Sequence, residues 1–378
     1  MKVKRVVLAV LAVFFASPAI SGFAAIDTRA IEAVRNKGVL QSSDLFTIDN
    51  FLAEAIQELI KTKDFSTIAK IRTLILSVRG PQPQYAEQFS ESALKYITAA
   101  LEKAAQLPPD RRIKVIANLL ILIDGLEDLK LSDLALARIK DKNAIIRYWA
   151  VHCITNDAII KQLSAGGTAN IKISRLFIDR LKDKEIVETS TPETLALIAK
   201  FAGDINIPQA EEMLIALADL RIRKYAGWTV EYELLDATIL NAIAGKLGAN
   251  PAGSAKPAAG VRFGQLYSFA IQRYAKGKDF LTEKQRQQLA SVLVEIEDKC
   301  IVKLLGRPQT TIKRAIERDD YAALLEENNR LLGDATKAGE LPTKLNYDYG
   351  TASDGRKRTG PLPLPEPLKK PKPSGPPR

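Results

Sequence analysis

Residues 131–154, LSDLALARIKDKNAIIRYWAVHCI, decide how the chain is read. Leu134, Leu136 and Ile139 have the spacing of one helix's apolar face, Asp141 marks a turn, and Asn143 can cap the next helix. Ile146, Ala150 and Ile154 then recur at helical spacing on that second helix, with Arg147 beside them. The same pattern returns about forty residues later. Arg138-Ile139-Lys140-Asp141-Lys142-Asn143 is echoed by Arg180-Leu181-Lys182-Asp183-Lys184-Glu185, and the apolar pairs Ile145-Ile146 and Ile186-Val187 stand just beyond each copy. Helix-pair starts near residues 47, 84, 126, 170 and 206 keep that interval, which is the size of a two-helix repeat unit.

From Asp27 to Gly333 apolar residues recur at three and four, and strand-like alternation is scarce. Gly80-Pro81, Pro108-Pro109, Gly166-Gly167 and Gly203 fall where periodic runs end. Thr47 or Asp49 is expected to cap the run through Ile60, and Asp64 the run through Val78. Pro109 and Pro208 stand where a first helical turn tolerates proline. Residues 249–260 are small and punctuated, and read as a flexible linker or loop. Val261–Ala275, Thr282–Leu305 and Gln309–Leu332 are expected to form three longer helices, the second opened by a capping box of Thr282 and Gln285.

Residues 131–154 resemble a HEAT repeat. The resemblance implies that Asp141 and Arg147 tie neighbouring units together and that the small Ala150 lets two helices approach closely, with Asn143 as the cap. The second copy, at 177–187, keeps Asp183 but departs beyond it, where Glu188 and Thr189 stand in place of the arginine and the small residue. The expected fold is therefore all-α: a degenerate HEAT-like α-solenoid of stacked antiparallel helix pairs over 27–248, a C-terminal helical cap over 261–332, and a disordered Pro/Lys-rich tail over 333–378.

The net charge of +11 sits at the two ends. Lys2, Lys4 and Arg5 open the chain without an acid, and residues 355–378 carry Arg356, Lys357, Arg358, Lys369, Lys370, Lys372 and Arg378 against Glu366 alone. The body between is near neutral, which argues against a nucleic-acid partner. The basic start, the apolar run Val6–Ala16 and the small residues after it form an export signal, cut after Ala19 or Ala24. A periplasmic or secreted protein is expected, with an uncleaved inner-membrane anchor as the alternative. Eight prolines at 361, 363, 365, 367, 371, 373, 376 and 377 favour an extended polyproline arm that could touch an anionic envelope polymer or a membrane surface. The same arm could serve as a ligand for a proline-binding groove, or simply keep the protein soluble.

No phosphate-binding loop, nucleophile elbow or metal-binding His-Glu pair is present, and no cofactor is expected. Two cysteines, Cys153 and Cys300, and the single histidine, His152, are too few for a dedicated zinc site. The cysteines are either one disulfide or two buried thiols. Glu231, Glu233 and Asp236, near Trp228, are the one acidic constellation that could serve an exported glycoside hydrolase or lyase, since such chemistry needs two carboxylates several ångströms apart. Acids two apart on a helix point to different faces, which weakens that alternative. Tyr148, Trp149, Tyr225, Trp228 and Tyr232 are candidate binding aromatics or core. The leading expectation is a non-enzymatic interaction or scaffold protein of the bacterial envelope, binding a protein partner through its helical repeats.

Overall fold

The computed structural model describes residues 26–249, 256–352 and 354–367. It is all-α: among those residues the only β pairing is two isolated bridges, Gly333 to Ala338 and Thr351 to Lys357. No helix among them is long and apolar enough to cross a membrane. The expected export signal, residues 1–24, lies outside the described residues, as do Lys369, Lys370 and Lys372. The chain divides into two compact units at residue 118.

The first unit holds α1 (Arg29–Val34), α2 (Ser42–Lys61), α3 (Phe65–Ser77) and α4 (Pro83–Ala105), and α5 (Pro109–Leu126) carries the chain across the division. Helix α2 buries Ile48, Phe51, Leu52, Ala55, Ile56 and Leu59, a three-four stripe that packs on α3 and α4. Its start corrects the expected cap. Gln41 and Asp44 form the capping box five residues before Asp49, and Lys37 holds Asp44 at 2.7 Å. Asp49 instead faces α4, accepting from Ser92 Oγ at 2.8 Å, Lys95 Nζ at 2.8 Å and Tyr96 OH at 2.7 Å. Asp64 caps α3 through the Thr67 amide, as expected. The last carbonyls of α2 are bonded by the Arg111 guanidinium, which reaches Lys61 O at 2.7 Å and supplies positive charge at a helix C-terminus.

In the second unit the helices fall into two rows. Helix α7 (Ala144–Thr155) packs on α11 (Pro192–Asp204), α11 on α13 (Leu234–Ala249), and α13 on α15 (Glu283–Ile296). Beside them α9 (Thr168–Leu181) packs on α12 (Pro208–Ala226), α12 on α14 (Lys256–Lys276), and α14 on α18 (Tyr321–Leu332). The short α6 (Ser132–Leu136), α8 (Asp157–Ser164), α10 (Lys184–Thr189), α16 (Val302–Leu305), α17 (Thr311–Glu317) and α19 (Glu340–Leu345) complete it. The two echoed segments are hydrogen-bonded neighbours: Lys140 Nζ meets Asp183 Oδ2 at 2.5 Å, and Arg147 Nη2 donates to Thr189 O at 3.1 Å. Arg147 also binds the Asp141 carbonyl at 2.9 Å, Asn143 caps α7 through two amides, Asp183 caps α10, and Ala150 is fully buried.

Several expectations are corrected by the packing. The first helix of the best repeat is only a 3-10 turn, Leu129–Leu131, and the five-residue α6. Its buried stripe is Leu131, Ala135 and Ile139, not Leu134 and Leu136, because a spacing of four keeps those three on one side. Of the expected linker 249–260, residues 250–255 lie outside the described residues, Ala249 ends a helix, and Lys256 to Gly260 are helical, Pro257 being tolerated in a first turn that needs no amide donor. The run 282–305 keeps its Thr282–Gln285 capping box but passes through a π-helical turn at Glu297–Ile301, and 309–332 breaks at Arg318–Asp320 into α17 and α18. That π turn places the buried Glu297 carboxylate on the Ile312 and Lys313 amides at 2.8 and 2.9 Å, so it caps α17 from another helix.

The largest correction concerns residues 333–367, expected as disordered tail. They are packed. Tyr347 and Tyr349 are buried over Gly260 and Gly264 of α14, where a Cβ on Gly264 would stand 2.4 Å from Tyr349 OH. Only glycine gives two tyrosine rings that close an approach to a helix backbone. Arg356, Lys357 and Arg358 belong to a bent loop in which Lys357 pairs with Asp348 at 3.1 Å and the Arg358 amide donates to Gly350 O at 2.8 Å. Buried aromatics decide the matter, since they repay the ordering of a segment whose prolines have little freedom to lose. Cys153 and Cys300 are buried and unbonded to each other; their Sγ atoms meet Leu120 O and Asn241 Oδ1, each at 3.1 Å.

Candidate functional site

The expected acids and aromatics gather around the connection between α12 and α13. Helix α12 ends at Ala226, and the Thr229 amide closes back on Lys224 O at 2.9 Å. The left-handed residue of that ending is Trp228, with φ of +55°, and Tyr232 follows at +58°. Such a position usually falls to glycine, and a bulky side chain there costs about 1–2 kcal/mol. The surrounding contacts hold Trp228 in place: its ring lies 5.4 Å from the Arg273 guanidinium and 6.1 Å from the Phe280 ring, and its Nε1 donates to Pro365 O at 2.8 Å.

Beneath the loop sits a buried charge network. Arg221 Nε and Nη2 bind Asp236 Oδ1 and Oδ2 at 2.6 and 3.0 Å, a fork-to-carboxylate pair in which neither partner reaches solvent. Tyr225 OH donates to Asp236 Oδ2 at 2.7 Å. Burial foremost, with the Asp236 charge beside it, pushes the Tyr225 phenol well above its ordinary value. Arg273 Nη2 approaches Glu233 Oε1 and Val230 O, both at 3.3 Å, while its plane lies near the Tyr225 and Trp228 rings. Burial foremost raises the Glu233 carboxyl, against the pull of Arg273.

The three expected acids are therefore not brought together at one opening. Asp236 and Glu233 are spent on two arginines, and only Glu231 lines the cleft of about 430 Å³ that Trp228, Arg273, Phe280 and Pro367 border. The spacing in sequence made the acids conspicuous, but their arginines come from α12 and α14, which no local pattern links to them. Of the expected aromatics, Tyr225 is core, Tyr232 is exposed, and Tyr148 and Trp149 are half-buried edge-to-face at 5.5 Å. His152 lies beside Trp149 and binds Asp124 Oδ1 through Nδ1 at 2.8 Å; that carboxylate is the chief cause of a raised imidazole pKa. Among the described residues no three His, Cys, Asp or Glu side chains are grouped to hold a metal.

Two features escaped sequence reasoning. The first is a groove between α2 and α4, lined by Leu45, Phe46, Asp49, Gln88, Glu91, Ser92 and Lys95, with a volume of about 420 Å³. Phe46 stands 68% exposed on its edge. The available signal was that Phe46 falls out of phase with the buried α2 stripe. The second is a pair of α14 glutamines, Gln265 and Gln272, that bond the backbone of residues 362 and 364. Nothing local could reveal a contact across so much intervening chain. Comparison of the sequence with protein-family models, with curated proteins and with solved structures finds no match in any of the three.

Proposed function

We propose that the chain is an exported, non-enzymatic helical-repeat protein of the bacterial cell envelope, whose surface docks a protein partner. The observation that carries this is the α2–α4 groove of the first unit. Phe46 and Leu45 are exposed there at 68% and 37%, and the groove is rimmed by Asp49, Glu91 and Lys95, the pattern of an apolar centre with a charged edge. Val39, at 74% exposed, adds apolar surface in the same unit. The degenerate HEAT-like character is supported by the two rows of helices in the second unit and by the Lys140–Asp183 and Arg147–Thr189 ties between its echoed segments. Export rests on the basic, apolar and small-residue order of residues 1–25.

A photo-crosslinking residue at position 46, with the chain expressed in a bacterium and its envelope fraction isolated, tests the proposal. A discrete adduct is expected from position 46, absent when the probe replaces the exposed Glu102 on the same unit. The same bands from both positions, or a protein that stays in the cytoplasmic fraction, would count against it.

A further inference from the structure

Residues 360–367, GPLPLPEP, cross α14 as an extended strap that is gripped mainly by its backbone. The Leu362 amide donates to Gln265 Oε1 at 2.8 Å, and Gln265 Nε2 donates back to Leu362 O at 3.1 Å. The Leu364 amide donates to Gln272 Oε1 at 2.8 Å, and Trp228 Nε1 donates to Pro365 O at 2.8 Å. Proline lacks an amide hydrogen, so among residues 361–367 only 362, 364 and 366 have one to give, and the two glutamines take two of them. Gln265 and Gln272 stand two turns apart on one face of α14, and their side chains converge on the alternate strap residues 362 and 364. Few strap side chains are read. Leu364 is 2% exposed and Glu366 pairs with Lys276 at 3.0 Å, whereas Leu362 is 49% exposed.

Donors aimed at the carbonyls of a proline-rich chain, an aromatic platform and one apolar socket are the chemistry by which grooves hold polyproline ligands. Trp228, in a left-handed backbone, gives its indole hydrogen to Pro365 O and borders the same cleft as Pro367. We propose that this face of α14 with Trp228 is a peptide-binding groove, and that the chain's own strap fills it in cis. The partner it fits is an extended segment with alternate prolines, a leucine in the Leu364 socket and an acid two residues later. The inference does not depend on the α2–α4 groove. A tethered strap acts as a competing ligand at about millimolar effective concentration, so a partner displaces it only by adding contacts or by abundance.

The test uses a fluorescently labelled synthetic peptide GPLPLPEP and three forms of the full chain's folded body: wild type, a chain ending at Gly360, and the full chain carrying Leu364→Asp. Aspartate in the buried socket expels the strap without shortening the chain. Both altered chains should bind the peptide saturably, and the wild type at least about ten-fold more weakly because its groove is filled. A peptide with aspartate at the Leu364 position should not bind. Failure of both altered chains to bind while circular dichroism shows native helicity overturns the proposal, and so does equal binding by the wild type, which would place the site elsewhere. Should both altered chains lose helicity, hydrogen exchange on the wild type decides. The Leu362 and Leu364 amides must exchange at least about ten-fold faster than the central α14 amides for the strap to open by itself. Exchange of all of them at one common rate would make the strap a permanent part of the core.

Discussion

Replacing Asp236 with alanine removes the acceptor for three donors at once: Arg221 Nε at 2.6 Å, Arg221 Nη2 at 3.0 Å and Tyr225 OH at 2.7 Å. Arg221 cannot turn to water, because its side chain is 2% exposed and its Nη1 is held by Glu231 O at 3.0 Å. The guanidinium is left buried with its charge unmatched, and breaking a buried pair in this way costs about 3–5 kcal/mol. With a urea slope near the upper end for single domains, about 3 kcal/mol/M, the unfolding midpoint should fall by about 1–1.7 M. Both tryptophans, Trp149 and Trp228, lie in the second unit, so their fluorescence in a urea titration reports the unit that contains the pair. Asp236→Asn keeps the shape and one acceptor oxygen, and should fall between alanine and wild type. The double change Arg221→Met with Asp236→Leu removes both charges and should recover most of the loss, since apolar replacements of buried pairs are often neutral. A midpoint shift below about 0.3 M for Asp236→Ala, or a double variant worse than the two single losses added, would refute the assignment of a desolvated, mutually dependent pair.

Two further outcomes rest on the buried groups. Burial pushes the Cys153 thiol well above its ordinary value and the Cys300 thiol up to about 12, so both should resist a thiol-directed disulfide reagent in the native protein and react fully in urea; a chain that yields no free thiol when unfolded without reductant would contradict this. The raised pKa of His152 means that its bond to Asp124 stabilises the fold most below the imidazole's ordinary value and fades as pH rises through the raised one. His152→Gln should therefore cost up to about 1 kcal/mol at pH 5.5 and less at pH 8.5, measured by urea midpoints; an equal or larger cost at pH 8.5 would reverse the sign.

The helical class, the caps at Asp64 and Asn143, and the adjacency of the two echoed segments were legible because each depends on spacing within a few residues or on an echo of them. The capping box at Thr282 was legible for the same reason. Helix continuity was not: the π turn at Glu297 serves a cap that reaches between helices, and the chain breaks before α18 at a left-handed Asp319 followed by Asp320 as a local cap. The acids near Trp228 were visible as residues but their partners were not, because Glu233 and Asp236 are matched by arginines from other helices.

What the sequence alone determined is the period of the apolar positions, and with it an all-α body whose helices must cover one another's apolar faces. What only the tertiary structure decided is the partner of each polar group and the place of residues 333–367. Composition marked those residues as unable to build a core of their own, and they do not build one. They borrow the surface of α14, where Gly260 and Gly264 admit Tyr347 and Tyr349 and two glutamines take the strap's amides. A segment that is ordered by bonds to distant side chains carries no periodic signature of that order, because its repeat is written in the helix that receives it.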